Sequence, residues 1–194
     1  MGPIIFATNN QNKVAEVQLL LKKSDIIIKT LKEEGIEIDI PEPFDTLEEN
    51  AQEKAKVIND LTGKNCFSED TGLFVTALAG APGVKSARYA GENKSMEKNI
   101  NLLLHNLHEE KDRTAYFKTV ICLVWNEKSY FFNGICEGKI ELYKKGNAGF
   151  GYDSVFTPKG SDKTFAEMAI NDKNIFSHRK KALAELTAFF DQQQ

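Results

Sequence analysis

The sequence predicts an α/β fold with a mixed, twisted β-sheet and flanking helices. In the first half of the chain, short apolar runs such as residues 4–8 and 26–30 alternate with segments of helical periodicity, which is typical of βαβ units. Farther along, two long β-rich runs, residues 114–125 and 129–136, are separated only by residues 126–128, which predicts an antiparallel hairpin. Parallel units and a hairpin in one sheet give a mixed sheet.

The helices are predicted from apolar residues that recur three or four positions apart. The best-defined helix begins at Thr46, because a glutamate three residues later completes a capping box, and Gly63 is suited to end it. Other helices are expected over about residues 13–23, over about 96–107 and from about 177 onward. The residues predicted to face inward on the helix near 96–107 are Met96, Ile100, Leu103, Leu104 and Leu107.

Length, charge and cysteine usage narrow the class of protein. A chain of 194 residues predicts a single domain, residues 1–194, and the absence of an apolar run of roughly 20 residues predicts no membrane partner. The formal net charge is −3, whereas nucleic-acid-binding domains usually carry a basic face, so no nucleic-acid partner is expected. Cys66, Cys122 and Cys136 lack metal-site spacing and lie in strand-like stretches, which favours free, buried thiols in a reducing cytoplasm.

The first candidate site is the loop between the first strand and the first helix. Backbone N–H groups at a helix N-terminus attract anions, and Lys13 adds a full positive charge. The loop lacks the Gly-x-x-x-x-Gly-Lys spacing of a P-loop, and a polar cap on an ordinary turn is the alternative explanation. The loop residues are Thr8, Asn9, Asn10, Gln11, Asn12 and Lys13.

The second candidate is an acidic turn, residues 69–72, after a short buried strand. Glu69 and Asp70 stand at a strand end, where ligands bind in open α/β sheets, and carboxylates there suit Mg²⁺. Glu42 is a further candidate ligand, because a proline on each side restricts its backbone. A solvated surface turn is the alternative for the acidic pair.

Polar and aromatic residues elsewhere in the chain are further candidate site residues. Asn50 and Lys54 are four residues apart on one helix face, although the nearby Glu49 and Glu53 favour a solvated lysine when Lys54 is taken in isolation. Glycines flank Phe150, which suits stacking of its ring on a base, and a core phenylalanine in a bulged strand is the alternative. His178 and Arg179, with Lys173 upstream, would lie at the first turn of the last helix, where the helix dipole disfavours cations. A nearby anionic or carbonyl-rich group would explain them, and a pair of exposed basic residues is the alternative.

These motifs together resemble the inosine triphosphate pyrophosphatase family over nearly the whole chain. The matching segments, in chain order, are residues 7–10 with Lys13, 49–51 with Lys54, 69–73, 80–83 running to 86–89, 149–153 and 177–179. The resemblance implies an elongated, two-lobed pyrophosphatase domain with a central nucleotide cleft, usually a homodimer. It also implies Mg²⁺-dependent hydrolysis of the α–β bond of ITP, dITP and XTP, which cleanses the nucleotide pool.

The family's functional residues carry over position by position. Asp70 matches the proposed proton acceptor and a metal ligand, with Glu42 and Glu69 as further metal-binding candidates. Glu69 departs from the aspartate of many members, so its role stays open, and Ser154 stands where proline is common. The substrate-binding positions implied are Thr8, Asn9, Asn10, Gln11, Asn12, Lys13, Asn50, Lys54, Thr71, Arg88, Phe150, Gly151, Tyr152, Asp153, Lys173, His178 and Arg179.

Two other functions are compatible with the same residues. One is a related pyrophosphatase for modified pyrimidine or dTTP-type substrates, which a substrate panel would reveal. The other is a nucleotide-binding regulatory module without turnover. Retention of every acid and lysine named above disfavours this module.

Overall fold

The computed structural model describes residues 2–22 and 24–193 and confirms the mixed α/β fold. The strands in these residues are β1 (Ile4–Phe6), β2 (Ile28–Thr30), β3 (Cys66–Val75), β4 (Pro82–Gly83), β5 (Thr114–Trp125), β6 (Lys128–Ile140) and β7 (Phe156–Pro158). They form one sheet in the order β2-β1-β3-β5-β6-β7, and β4 pairs with β3. The pairings of β1 with β2 and β3 are parallel, whereas those of β3 with β4 and of β6 with β7 are antiparallel.

The helices are α1 (Gln11–Leu21), α2 (Leu47–Thr62), α3 (Met96–Asn106), α4 (Ile170–Phe176) and α5 (His178–Asp191). The predicted start of the helix at Thr46 is confirmed, because the Thr46 hydroxyl caps α2 by accepting from the backbone N–H of Glu49. The hydroxyl also donates to the Glu49 carboxylate at 2.6 Å. Gly63 ends α2 with φ 66°. The sequence did not predict α4, whose seven residues are too few to establish a periodicity. No helix in the described ranges is long and apolar enough to cross a bilayer.

α1 begins earlier than its apolar pattern indicates. The helix starts at Gln11 because the Asn10 side chain accepts from the backbone N–H groups of Asn12 and Lys13, at 3.0 and 3.2 Å. The predicted end of this helix, Lys23, lies outside the described residues. An asparagine cap thus places the polar loop directly against the helix N-terminus.

The predicted hairpin is formed by β5 and β6. Asn126 and Glu127 connect the two strands and have left-handed φ values of 49° and 65°. A two-residue turn with both φ values positive matches the twist of the flanking strands. The hairpin is therefore confirmed, and β6 continues to Ile140, beyond its predicted end.

The chain divides into two compact units, each with its own core. The first unit comprises residues 1–70, 119–134 and 179–194, and the second comprises residues 71–118 and 135–178. In the first core, the rings of Phe6 and Phe67 stack at 4.6 Å. In the second, Phe117 meets Phe156 edge-on at 4.7 Å.

One residue that was predicted to face inward does not. Met96 is 50% exposed, whereas Ile100, Leu103 and Leu107 are buried. Met96 occupies the first position of α3, where its sulfur accepts a hydrogen bond from the backbone N–H of Gly151 at 3.0 Å. A local polar contact therefore overrides the apolar periodicity at this end of the helix.

The three cysteines are buried and unoxidised, so we expect them to be unreactive in the folded protein. Burial raises the pKa of Cys66 to about 12 and that of Cys122 to about 11, so the reactive thiolate is suppressed. Ellman's reagent at pH 8 should find no fast-reacting thiol in native protein and three in denaturant. Because unfolding releases these protons, stability should fall as pH rises above about 9 toward 11–12. Rapid reaction of native protein would contradict the predicted burial.

Candidate active site

The loop after β1 lies beside space for a small ligand. A pocket of about 410 Å³ in the first unit borders this loop. The amide of Asn9 donates to the carbonyl of Ile38 at 2.8 Å, which holds the loop to the other side of the pocket. The pocket is lined by Thr8, Asn9, Gln11, Thr30, Lys32, Ile36, Glu37, Ile38 and Asp39.

The acidic segment 69–72 is not a turn, so this prediction was wrong. It lies inside β3, which continues to Val75 and pairs with β4 through Leu73 and Gly83. The approach of β4 requires a glycine at position 72, because an added Cβ would lie 2.7 Å from the carbonyl oxygen of Gly83. Long-range strand pairing thus overrides a sequence pattern that is locally turn-like.

The two carboxylates of this segment are buried, which excludes a solvated surface turn. Glu69 is 1% exposed and Asp70 is 6% exposed. Buried carboxylates need partners, since removing an unpaired charge from water is costly. The first unit supplies basic partners for both acids.

Lys54 forms ion pairs with two carboxylates of the first unit. Its Nζ donates to Asp70 Oδ1 at 3.0 Å and also to the Glu42 carboxylate. Burial alone would lower the pKa of Lys54, but the two carboxylates outweigh burial and raise it above its usual value. The pKa of Asp70 is also raised, because burial outweighs the attraction of Lys54 and Lys13. The cluster combines a charged lysine with an acid whose basicity is increased.

Asn50 fixes the segment that carries Glu42. It is fully buried, its side-chain oxygen accepts from the backbone N–H of Phe44, and its amide donates to the carbonyl of Phe44, both at 3.0 Å. These paired bonds tie residues 42–44 to α2, the helix that also carries Lys54. Asn50 and Lys54, which are four residues apart on α2, therefore both support the cluster of Lys54, Asp70 and Glu42.

Arg179 lies in a second charged cluster, with Glu69. Its Nε and Nη2 both donate to the Glu69 carboxylate at 2.8 Å, and its Nη1 pairs with Glu16. Burial alone would lower the pKa of Arg179, but the two carboxylates outweigh burial and raise it. Lys13 Nζ also lies 3.4 Å from the Glu69 carboxylate. Glu16 was not predicted as a site residue, and its one local signal is its position three residues after Lys13 on α1.

The acids of the Lys54 cluster fit Mg²⁺. In nucleotide enzymes this ion is usually bound through one or two carboxylates, and phosphate oxygens complete its shell. Glu42 and Asp70 share one ammonium partner, which shows that both carboxylates reach the same point. No group of three or more His, Cys, Asp or Glu suited to a metal occurs in the described part of the chain. With two carboxylates as protein ligands, substrate oxygens and water would supply the rest of the ion's shell.

The glycine-rich loop of the second unit is built around Asp153. This carboxylate accepts from the backbone N–H of Phe150 at 2.9 Å and from Lys173 Nζ at 2.7 Å. Lys173 Nζ also lies 5.4 Å from the centre of the Phe150 ring. Asp153 and Lys173 are 5% and 4% exposed. The structure therefore brings together three of the predicted base-binding residues.

The remaining predicted residues lie in several places. His178, in the second unit, stacks on Phe117 at 4.8 Å, although the next residue, Arg179, belongs to the Glu69 cluster of the first unit. Thr71 is half-buried in β3. Arg88 ends a short 3₁₀ turn, Ser86–Arg88, in the second unit.

Comparison with known proteins gives consistent matches along the chain. The Ham1 family model matches residues 4–189. A dITP/XTP pyrophosphatase of Flavobacterium johnsoniae is 49% identical over 183 residues, which cover 94% of this chain and 95% of the relative. A dITP/XTP pyrophosphatase of Porphyromonas gingivalis is 45% identical, with 97% of each chain covered.

Solved structures match the fold as well as the sequence. The Ham1 protein of Staphylococcus aureus superposes with a TM-score of 0.90 at 37% identity, and both chains are covered completely. A nucleoside-triphosphatase / dITP/XTP pyrophosphatase of Mycobacterium abscessus superposes with a TM-score of 0.78 at 35% identity. The match covers 95% of this chain and 98% of that one.

Proposed function

The chain belongs to the Ham1 family, and we propose that it hydrolyses ITP, dITP and XTP to the monophosphate and pyrophosphate, which removes non-standard purines from the nucleotide pool. The observation that supports this most is the cluster in which the buried residues Asp70 and Lys54 meet the partly exposed Glu42. It contains a general base, acids for a metal and a cation for phosphate. The names of the relatives support the substrate class.

In this proposal, Asp70 accepts a proton from the water that attacks the α-phosphorus. Its raised pKa makes it a stronger base than an exposed aspartate, as general-base catalysis near neutral pH requires. Lys13 and Lys54 neutralise the β- and γ-phosphates, and the N–H groups of the loop at α1 add donors. The first unit thus carries the groups that act on the triphosphate.

Glu42 and Asp70 would hold Mg²⁺, with Glu69 as the third candidate acid. When bound, Mg²⁺ neutralises charge on the triphosphate and orients the leaving pyrophosphate. Because Glu69 already accepts two hydrogen bonds from Arg179, we assign it first to the orientation of that arginine.

Selection of the base is proposed for Phe150, Lys173, His178 and Arg179. Phe150 would stack on the purine, and the other three would donate to its 6-oxo group. Adenine carries a 6-amino donor instead, so buried donors would stay unpaired and ATP would be rejected. Guanine shares the 6-oxo group and must be excluded by contacts to its 2-amino group.

The test is a substrate panel with the intact protein and Mg²⁺. Pyrophosphate release should have a kcat/KM for ITP and XTP at least about 100-fold above that for ATP. Equal use of ITP, XTP, GTP and ATP would refute the housecleaning role, and preference for dTTP-type substrates would establish the pyrimidine alternative. Absence of turnover with every substrate would favour the regulatory module.

Gly149→Ala tests the glycine-rich loop of the second unit, residues 149–153, which we call the base-binding loop because we propose that it binds the base. Gly149 has φ 75°, and an added Cβ would lie 2.1 Å from the Asp153 carboxylate, so the loop must shift. We expect the KM for ITP to rise by about tenfold with a smaller change in kcat, because the Asp70 cluster is untouched. Gly63→Ala is the matched control, since Gly63 also has a positive φ of 66° but has open space at its Cβ position and lies outside the candidate site. Equal KM values for the two variants would contradict the role of the Asp153 contact.

We also propose a cytoplasmic homodimer. Leu142 and Tyr143, in the second unit, are 70% and 63% exposed, and such side chains are suited to an interface. Light scattering gives the mass directly, and a monomer at micromolar concentration would contradict the dimer.

A further inference from the structure

The first turn of α3 contacts two separate loops of the second unit. Met96 and Asn99 are three residues apart, so their side chains share one side of the helix. We call this pair the α3 anchor. Neither residue was assigned a functional role from the sequence.

Asn99 holds the turn that carries Arg88. Its side-chain oxygen accepts from the backbone N–H of Ala90 at 2.7 Å, and its amide donates to the carbonyls of Ala87 at 2.9 Å and Ser86 at 3.4 Å. Asn99 is 4% exposed, and its replacement by an apolar residue would remove these hydrogen bonds to the backbone around the turn. Asn99 therefore fixes both sides of the 3₁₀ turn.

Tyr152 connects that turn to the base-binding loop. Its hydroxyl donates to the carbonyl of Ser86 at 2.8 Å, the same carbonyl that Asn99 contacts. Burial raises the pKa of Tyr152, so the phenol stays protonated and remains a donor. Tyr152 directly precedes Asp153 in the chain, so its bond to Ser86 lies one residue from the Asp153–Lys173 pair.

Met96 provides the second contact to the same loop. Its sulfur accepts from the backbone N–H of Gly151, between Phe150 and Tyr152. A thioether is a weak acceptor, so this contact contributes less than the amide of Asn99. The half-exposed position of Met96 is explained by this contact rather than by core packing.

We propose that the α3 anchor is a pair of positioning residues that sets the base selectivity of the enzyme. The inference rests on the proposed function, because selectivity has meaning only for a protein that hydrolyses these nucleotides. Asn99 and Met96 act through Ser86 and Gly151 on the loop that contains Phe150 and Asp153. A purely structural pair would instead lower stability and leave the preference for ITP over ATP unchanged.

The test compares Asn99→Leu, Met96→Leu and wild type. The ratio of kcat/KM for ITP to that for ATP should fall by about tenfold in Asn99→Leu and about threefold in Met96→Leu, mainly through a higher KM for ITP. Asn101→Leu is the matched control, because Asn101 makes the same chemical change on the exposed face of α3 and should keep the wild-type ratio. Urea denaturation confirms that each variant is folded.

The outcomes separate the anchor from the proposed function. Wild-type protein that releases no pyrophosphate from ITP would overturn both. A selective wild type with unchanged ratios in both anchor variants would overturn the anchor alone. If Asn99→Leu does not fold, Met96→Leu decides, because a half-exposed methionine is replaced by a side chain of similar volume.

Discussion

Asp70→Asn is expected to lower kcat for ITP hydrolysis by at least about 100-fold. The amide keeps the size and a hydrogen-bond acceptor for Lys54, but it cannot take a proton from water. It also removes one negative charge from the acids proposed for Mg²⁺. Steady-state pyrophosphate release at saturating Mg²⁺ measures the loss. In wild type, activity should fall as pH drops through the raised pKa of Asp70, because protonation removes the base.

The control for this variant is Asp60→Asn, which makes the same change at an exposed acid on α2. It should retain the wild-type kcat, because the charge of a solvent-exposed carboxylate is screened by water and has little effect on distant groups. Both variants should remain folded by circular dichroism. Near-normal turnover of Asp70→Asn would remove Asp70 from the role of base.

Arg179→Met is expected to lower the free energy of unfolding by about 3–5 kcal/mol. The guanidinium is 2% exposed and is the partner of two acids, Glu69 and Glu16. Its removal leaves two carboxylates poorly compensated in a buried site, which is more costly than the loss of an exposed ion pair. Urea denaturation at neutral pH measures the difference.

A second substitution separates the charge effect from packing. Arg179→Met combined with Glu69→Leu should recover part of the lost stability, because one unpaired buried carboxylate is removed. Lys56→Met, at an exposed lysine of α2, should change stability by less than about 0.5 kcal/mol. A loss of under about 1 kcal/mol in Arg179→Met would contradict the buried pairing.

The parts of the fold that follow local rules could be predicted from the sequence. The N-cap at Thr46 and the end of α2 at Gly63 each depend on residues a few positions apart. The hairpin of β5 and β6 likewise depends on a short connection. In each case the backbone geometry is determined by neighbours in the chain.

Features that depend on distant contacts could not be predicted. Residues 69–72 have the composition of a turn, but β4 pairs beside them and makes them part of β3. The ion pair of Arg179 with Glu69 joins residues 110 positions apart and was not predicted. No local pattern of charge distinguishes such a buried pair from two solvated residues.

The candidate site was predicted as a set of residue types rather than as an arrangement. The motifs drew attention to Asp70, Lys54 and Asp153, but they did not indicate which partner each would bind. The pairing of Asp153 with Lys173 and of Asp70 with Lys54 appears only in the folded structure. Base recognition by Phe150 and Lys173 is a prediction, which the Gly149→Ala and α3 anchor variants test.

Hydrolysis of ITP in ¹⁸O-enriched water tests most directly whether water attacks the α-phosphorus. The products are separated and the labelled oxygen is located by mass spectrometry. If Asp70 activates water toward the α-phosphorus, the label appears in inosine monophosphate and the pyrophosphate is unlabelled. Label in pyrophosphate, or release of orthophosphate as the first product, would contradict hydrolysis by this route.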